Sequence, residues 1–196
     1  MTIKSVFLAL ALMSFVGCGG NASKEIERGG DDVLALKGKA YQVLSGELAN
    51  DDNSISGSGR LVFLAPLPGV SSNQNFTINL ALEDGGILKV LAYGKEDLSG
   101  PVTILIGRVG ADVSVSVLGK DGSALSATTR KYVSPLSLSI DVHNTEGHVL
   151  IWEGEGKTPI VDAEDERNKG AGTFWGLDLS KASVNEVAVS KAHDEH

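Results

Sequence analysis

"FTINLALEDGGILKVLAY", residues 76–93, is the stretch on which the fold turns. Phe76, Ile78, Leu80 and Leu82 fall on one side of an extended chain, and Thr77, Asn79 and Ala81 on the other. Successive side chains of a strand point to opposite faces, so this two-residue period marks a strand with one buried face. "EDGG", residues 83–86, has the composition of a hairpin turn. "ILKVLAY" then returns, with Leu88, Val90 and Ala92 inward if Lys89 faces out. Ile87, Leu91 and Tyr93 share the Lys89 face, and three large apolar groups there imply that this face is itself covered or concave.

The same period extends in both directions. "LVFLA" (61–65) precedes it; "VTILIGRV" (102–109) and "DVSVSVL" (112–118) follow, the latter with Val113, Val115 and Val117 on one side. "GKDG" (119–122) reads as a turn. "PLSLSIDVH" (135–143) buries Leu136, Leu138, Ile140 and Val142, "NTEG" (144–147) turns the chain, and "HVLIW" (148–152) comes back. "GTFWGLDLS" (172–180) and "VNEVAVS" (184–190) read as two more strands, with Trp175 in the core. Residues 33–44, "VLALKGKAYQVL", suit a short helix or a first strand. About ten short strands with hairpin turns predict an all-β, two-sheet antiparallel sandwich or barrel. Twenty-four glycines against five prolines agree with many tight turns. No repeat of fixed period points to a propeller or solenoid.

"KTPIVDAEDERNKGAG", residues 157–172, breaks the rhythm with a run of charges. A solvated, mobile loop is the expectation there. The sharper alternative is calcium held by Asp162, Glu164, Asp165 or Glu166, although the spacing matches no recognised calcium loop.

The N-terminus sets an address. Lys4 is followed by an uncharged run from Val6 to Val16. As a helix those residues rise about 16 Å, against roughly 30 Å of bilayer hydrocarbon, so they suit a signal peptide and not a membrane span. Cys18, the only cysteine, ends the run and is followed by Gly19 and Gly20. The segment "SFVGC" resembles the lipobox of bacterial lipoproteins. That resemblance implies cleavage between Gly17 and Cys18, acylation of Cys18, and, with Gly19 where an inner-membrane retention signal carries Asp, delivery to the outer membrane of a bacterial cell envelope. Residues 1–17 are then a signal peptide. "GGNASKEIERGGDD" gives residues 18–32 the character of a flexible lipidated tether of about 20 Å, and 33–196 form the domain.

Charge narrows the partners. The chain carries 25 acidic and 17 basic side chains, a net charge of −8. Loss of Lys4 with the signal makes the mature chain one unit more negative. Such a surface does not attract phosphate backbones, so nucleic acid is excluded as a natural partner. With Cys18 acylated no disulfide or thiolate metal site is available.

One constellation carries chemistry. A four-residue loop at 144–147 sets His143 opposite His148, Asp141 opposite Leu150 and Ser139 opposite Trp152. Asp141, His143, His148 and Trp152 then share the face away from Ile140 and Val142. Cross-strand Cβ atoms lie about 5 Å apart, so this makes a polar platform with an aromatic floor, a surface on which a sugar ring stacks while its hydroxyls bond to side chains. The plain alternative is solvated edge histidines and a core tryptophan. A metal on the two histidines needs a further ligand, which Asp141 on the diagonal offers.

The order of these hairpins, from "FTINLALEDGGILKVLAYG" through "SLSIDVHNTEGHVLIWEG" to "GTFWGLDLSKASVNEVAV", resembles the concanavalin-A-like, laminin-G-like jelly-roll sandwich. The resemblance implies a domain whose concave face or rim loops bind glycans or proteins, in a group where calcium is common. Its glucanase branch carries catalytic acids as ExDxxE on a strand, and no such run stands on a strand here. Asp112, Asp141, Glu153 and Asp178, the strand carboxylates, show no pairing of the kind a retaining glycosidase needs. GxSxG and HExxH motifs are absent. The expectation is therefore a non-catalytic, membrane-anchored module without a cofactor, binding glycans or an envelope surface partner. The alternative is a structural or assembly lipoprotein with no soluble ligand.

Overall fold

A computed structural model of the chain describes residues 25–28, 33–51 and 53–193. Among them there is no helix, and twelve strands run in chain order: β1 (Glu25–Arg28), β2 (Val33–Leu36), β3 (Lys39–Asn50), β4 (Ile55–Phe63), β5 (Asn73–Gly94), β6 (Val102–Val109), β7 (Asp112–Leu118), β8 (Ala124–Lys131), β9 (Leu136–His143), β10 (His148–Glu153), β11 (Val161–Glu164) and β12 (Phe174–Lys191). Every pairing is antiparallel. Cys18 and the expected signal peptide lie outside the described residues. Part of the expected tether lies inside them, and there the expectation fails: Glu25–Arg28 pair with Glu47–Asn50 of β3.

The strands join into one sheet of order β1-β3-β4-β12-β5-β6-β7-β8, with β2 on β3 and a branch β9-β10-β11 leaving β5. The branch exists because β5 is 22 residues long and changes partners midway. Residues 73–80 pair with β9 and residues 87–92 with β6, while β12 accompanies both halves. The expected turn at 83–86 is therefore a bend within one strand, and "ILKVLAY" does not fold back on "FTINLAL". Gly85 takes φ +73, and a Cβ on Gly86 would stand 2.5 Å from the Lys181 carbonyl oxygen. Glycines there let β5 and β12 kink together. β12 likewise unites the two strands expected at 172–180 and 184–190, with bulges between Ser180 and Ala182 and between Val184 and Glu186.

The two leaves enclose one core. Phe76, Ile78, Leu80 and Leu82 from the first half of β5 and Leu88, Val90 and Ala92 from the second all point inward. They meet Ile104 and Ile106 of β6, Val113, Val115 and Val117 of β7, Ile140 and Val142 of β9, and Val149 and Ile151 of β10. Each of these side chains except Ala92 stabilises by about 1.5–3 kcal/mol relative to exposure. Trp175 is buried as expected and stacks on Phe63 with ring centroids 3.9 Å apart. The Lys89 face is covered at two of its three apolar positions: Leu91 packs with Val62, Leu98 and Phe174, and Tyr93 is buried, whereas Ile87 is exposed. Desolvation pushes the Tyr93 phenol up to about 12, against its hydrogen bond with Ser72.

The charged stretch 157–172 is more ordered than its composition suggests. β11 lies within it, paired to β10, with Val161 and Ala163 buried. Asn144 ties the following loop down, its Nδ2 donating to the Val70 carbonyl at 2.7 Å and its Oδ1 accepting from the Gly170 amide at 2.6 Å.

Candidate functional site

The first half of β5 with β9 and β10 presents a polar outer face in three rows. Asn73, His143 and His148 form one; Asn75, Asp141 and Leu150 the next; Thr77, Ser139 and Trp152 the third. The β9–β10 register places His143 opposite His148, Asp141 opposite Leu150 and Ser139 opposite Trp152, because Asn144–Gly147 close a loop with Gly147 at φ +76 and its amide on the His143 carbonyl at 2.9 Å.

The middle of this face is not open. Asp141 has no exposed surface, Asn75 is 4 % exposed and His143 4 %. Asn75 Nδ2 donates to Asp141 Oδ1 at 2.5 Å and to Ser139 Oγ at 2.7 Å, and Thr77 Oγ1 donates to Asn75 Oδ1 at 3.1 Å. The C-terminal residues cover the rest. Beyond the end of β12 the Ala192 amide donates to the Asn73 carbonyl at 3.2 Å, and the chain crosses β5. The His193 amide reaches Asp141 Oδ2 at 3.2 Å, and its Nδ1 lies 2.9 Å from the same oxygen. A carboxylate only accepts, so Nδ1 carries the proton, leaving Nε2 on an imidazole that is 75 % exposed.

An open groove of about 360 Å³ lies beside this buried cluster, lined by Ser139, Trp152, Gly154, Glu155, Gly156 and His193. Trp152 is half-buried, and its ring meets that of His193 edge-on, with centroids 6.0 Å apart. The loop from β10 to β11 forms the other wall. Gly154, at φ +56, turns it, its amide donating to the Ser137 carbonyl at 3.0 Å.

Of the four residues singled out from the sequence, Trp152 alone lines the groove. Asp141 sits beneath it as the support of His193. His143 and His148 lie side by side at the far end of the face, ring centroids 5.9 Å apart, and His148 Nε2 is 2.8 Å from Asp162 Oδ1. Sequence reasoning missed His193, Glu155 and Asn75. His193 and Asn75 arrive through pairings 52 and 66 positions from Asp141. Glu155 carried one local signal, an acidic residue between two glycines directly after Trp152.

The other strand carboxylates are engaged by bases: Asp112 by Lys131 at 2.8 Å, Asp178 by Arg60 at 2.8 Å and Lys89 at 3.7 Å, and Glu153 by Arg130. Two of the four residues named for the calcium alternative are likewise engaged by bases. Asp162 faces His148, and Asp165 accepts Arg167 Nε at 2.9 Å and Nη2 at 2.8 Å. Those side-chain bonds, reinforced by the Arg167 amide, hold the Asp165 carboxyl down to about 2. Glu164 and Glu166 are exposed. Calcium takes six to eight oxygens. These four residues do not fit it, and no group of three or more His, Cys, Asp or Glu among the described residues is placed to hold a metal.

No protein-family model matches the sequence, and no curated protein matches it. Solved structures do match it in shape. The carbohydrate-binding module CBM66 from Bacillus subtilis superposes with a TM-score of 0.53 at 10% identity, covering 77% of this chain and 95% of that one. The exoplasmic/lumenal domain of VIP36, in its Ca2+/Man3GlcNAc-bound form, gives 0.55 at 11% identity over 80% and 86%. A legume lectin-like domain from Entamoeba histolytica gives 0.50 at 14% identity over 78% and 90%. At such identities the likeness is one of fold: the chain has the antiparallel jelly-roll β-sandwich architecture shared by these lectin-like and carbohydrate-binding domains.

Proposed function

We propose that the protein is a lipid-anchored, non-catalytic binding module that takes glycans in the groove between Trp152 and His193. The observation that carries this reading is the half-buried indole on the wall of an open groove whose other side chains, Ser139, Glu155 and His193, are polar. A sugar ring lays its C–H face on the indole, and its hydroxyls bond to Ser139, Glu155 and His193. The groove volume falls within the roughly 300–1,000 Å³ of small-molecule sites. The fold supports the class, since CBM66 is a carbohydrate-binding module and VIP36 is seen with a bound mannose-containing glycan. The non-catalytic part is supported by the strand carboxylates, which are engaged by bases or buried, and by the groove lining, where Glu155 stands as a single carboxylate and a retaining glycosidase needs two.

Binding to a glycan array by the full-length protein in a non-glycosidic detergent is the test. Trp152→Ala is expected to weaken every hit by about tenfold or more, which corresponds to about 1.4 kcal/mol, while Trp152→Phe keeps part of the affinity. A wild-type protein that binds no glycan, or a Trp152→Ala variant that binds as well, refutes the reading.

The anchor is supported by the sequence before Cys18. Each buried methylene adds about 0.8 kcal/mol of membrane affinity, and two or more chains are needed to hold firmly. Cys18→Ser is expected to move the protein from the outer-membrane fraction of a bacterial host into the soluble fraction. Unchanged partition overturns the anchor and leaves the groove untouched.

A further inference from the structure

We infer that the groove discriminates by charge: it favours a sugar carrying a protonated amine over the same sugar acetylated, and it disfavours acid sugars. The inference rests on the glycan-binding reading and goes on to say which glycans. Its basis is the hydrogen-bonding character of the lining. Among the described residues no lysine or arginine lines the groove. The nearby Arg130 guanidinium is held by Glu153. The amide of Gly154 is engaged by the Ser137 carbonyl at 3.0 Å and that of Gly156 by the Glu153 carbonyl at 3.1 Å, so the loop offers the groove no backbone donor at either glycine. Ser139 Oγ already accepts from Asn75, which leaves its own hydrogen as a single donor.

Acceptors dominate instead. Glu155 is exposed on the loop and is, among the described residues, the one permanently charged group in the lining. His193 presents Nε2, because the buried Asp141 carboxylate holds the proton on Nδ1 at 2.9 Å. Glu155 therefore sets the sign of the groove among the described residues. Trp152 adds an aromatic face, which attracts an ammonium through its quadrupole. An ammonium brings three donors and no acceptor, matching this lining. A uronate carboxylate brings acceptors only, and would face Glu155 without a cation to receive it. The net charge of −8 adds to that repulsion at long range.

The test is titration calorimetry on the full-length protein in a non-glycosidic detergent and mildly acidic buffer. The probes are three oligosaccharides of equal length: glucosamine, N-acetylglucosamine and galacturonic acid. The glucosamine oligomer is expected to bind about three- to fivefold more tightly than its acetylated form, the size of an exposed ion pair, and the acid oligomer more weakly than the acetylated one by a similar factor. Glu155→Gln is expected to bring the first two within about twofold of each other, the size left when an exposed ion pair is removed. Glu155 is exposed in a loop, so a melting midpoint of the variant within about 1–2 °C of the wild type shows that it is folded, independently of any glycan. Acid oligomers that bind as well as neutral ones, an amine preference that survives Glu155→Gln, or indifference to the amine while other glycans bind each overturn the charge selection alone. Failure of every glycan overturns the binding reading beneath it.

Discussion

Asp141 is an acid with no exposed surface, set among apolar strands. Burying a carboxylate without partners costs several kcal/mol, which hydrogen bonds to the charged form offset. It has three donors: Asn75 Nδ2 on one oxygen, and the His193 amide and Nδ1 on the other. The same bonds fasten the C-terminal residues across β5 and orient the imidazole at the groove. Asp141→Ala removes the acceptor for all three at once. The expected loss of stability is about 2–4 kcal/mol, from buried donors left unsatisfied and a small void, read as a lower denaturation midpoint in urea at unchanged slope. A His193 Nδ1 proton signal is expected in the wild type, where Asp141 accepts from it, and is expected to disappear with the carboxylate. A loss below about 1 kcal/mol, within the range of a surface substitution, would mean that the carboxylate is not the fastener described. The cross-strand position of Asp141 was legible from the sequence, because a four-residue loop at Asn144–Gly147 fixes the register locally. Its burial was not, since that depends on partners from two distant segments.

At the scale of elements the strands with an apolar side were readable and the places where they end were not. Val113, Val115 and Val117 alternate with Ser114, Thr103 faces Leu118 across β6–β7, and the pattern alone locates both strands. β8, "ALSATTRK", escaped notice because it has no buried face: its side chains are exposed or half-exposed throughout, as suits a strand at the end of the sheet order. β11 escaped for the opposite reason. Its two inward residues, Val161 and Ala163, alternate with Asp162 and Glu164 over too few positions to stand out from the charges after them. The most instructive failure is "EDGG". Glycines after acidic residues serve a hairpin and a strand bend equally well, because both require positive φ or a close backbone approach. What decides between them is the neighbour. β12 runs past β5 on both sides of the bend and kinks at Lys181, φ +50, to stay paired. No local composition announces a partner about a hundred residues away. The groove inherits this: Trp152 is placed by a local hairpin, whereas His193 depends on how far β12 runs along β5.

Over the whole molecule, the sheet folded at that bend encloses one core, and three aspartates near its rim are answered by a base or a hydroxyl. Asp165 is bound by Arg167, Asp162 meets His148, and the Asp121 carboxyl is held below its usual range by the Ser123 hydroxyl and amide. A domain built this way gains nothing from an ion at these positions, although VIP36, of similar fold, is known in a Ca2+-bound form. The consequence is measurable. A site binding calcium at micromolar affinity would add about 4 kcal/mol of stability at millimolar calcium, since the gain is RT ln(1 + [L]/Kd). For a domain of this size each kcal/mol moves Tm by about 2–4 °C, so the melting curve would rise by roughly 8–16 °C. Melting of the full-length protein in millimolar calcium and in excess chelator is expected instead to give superposable curves, within about 1–2 °C, less than a single kcal/mol would produce. A rise of the larger size would show that oxygen donors other than Asp162, Glu164, Asp165 and Glu166 assemble around an ion, and that the arginine at Asp165 is not what stabilises that loop.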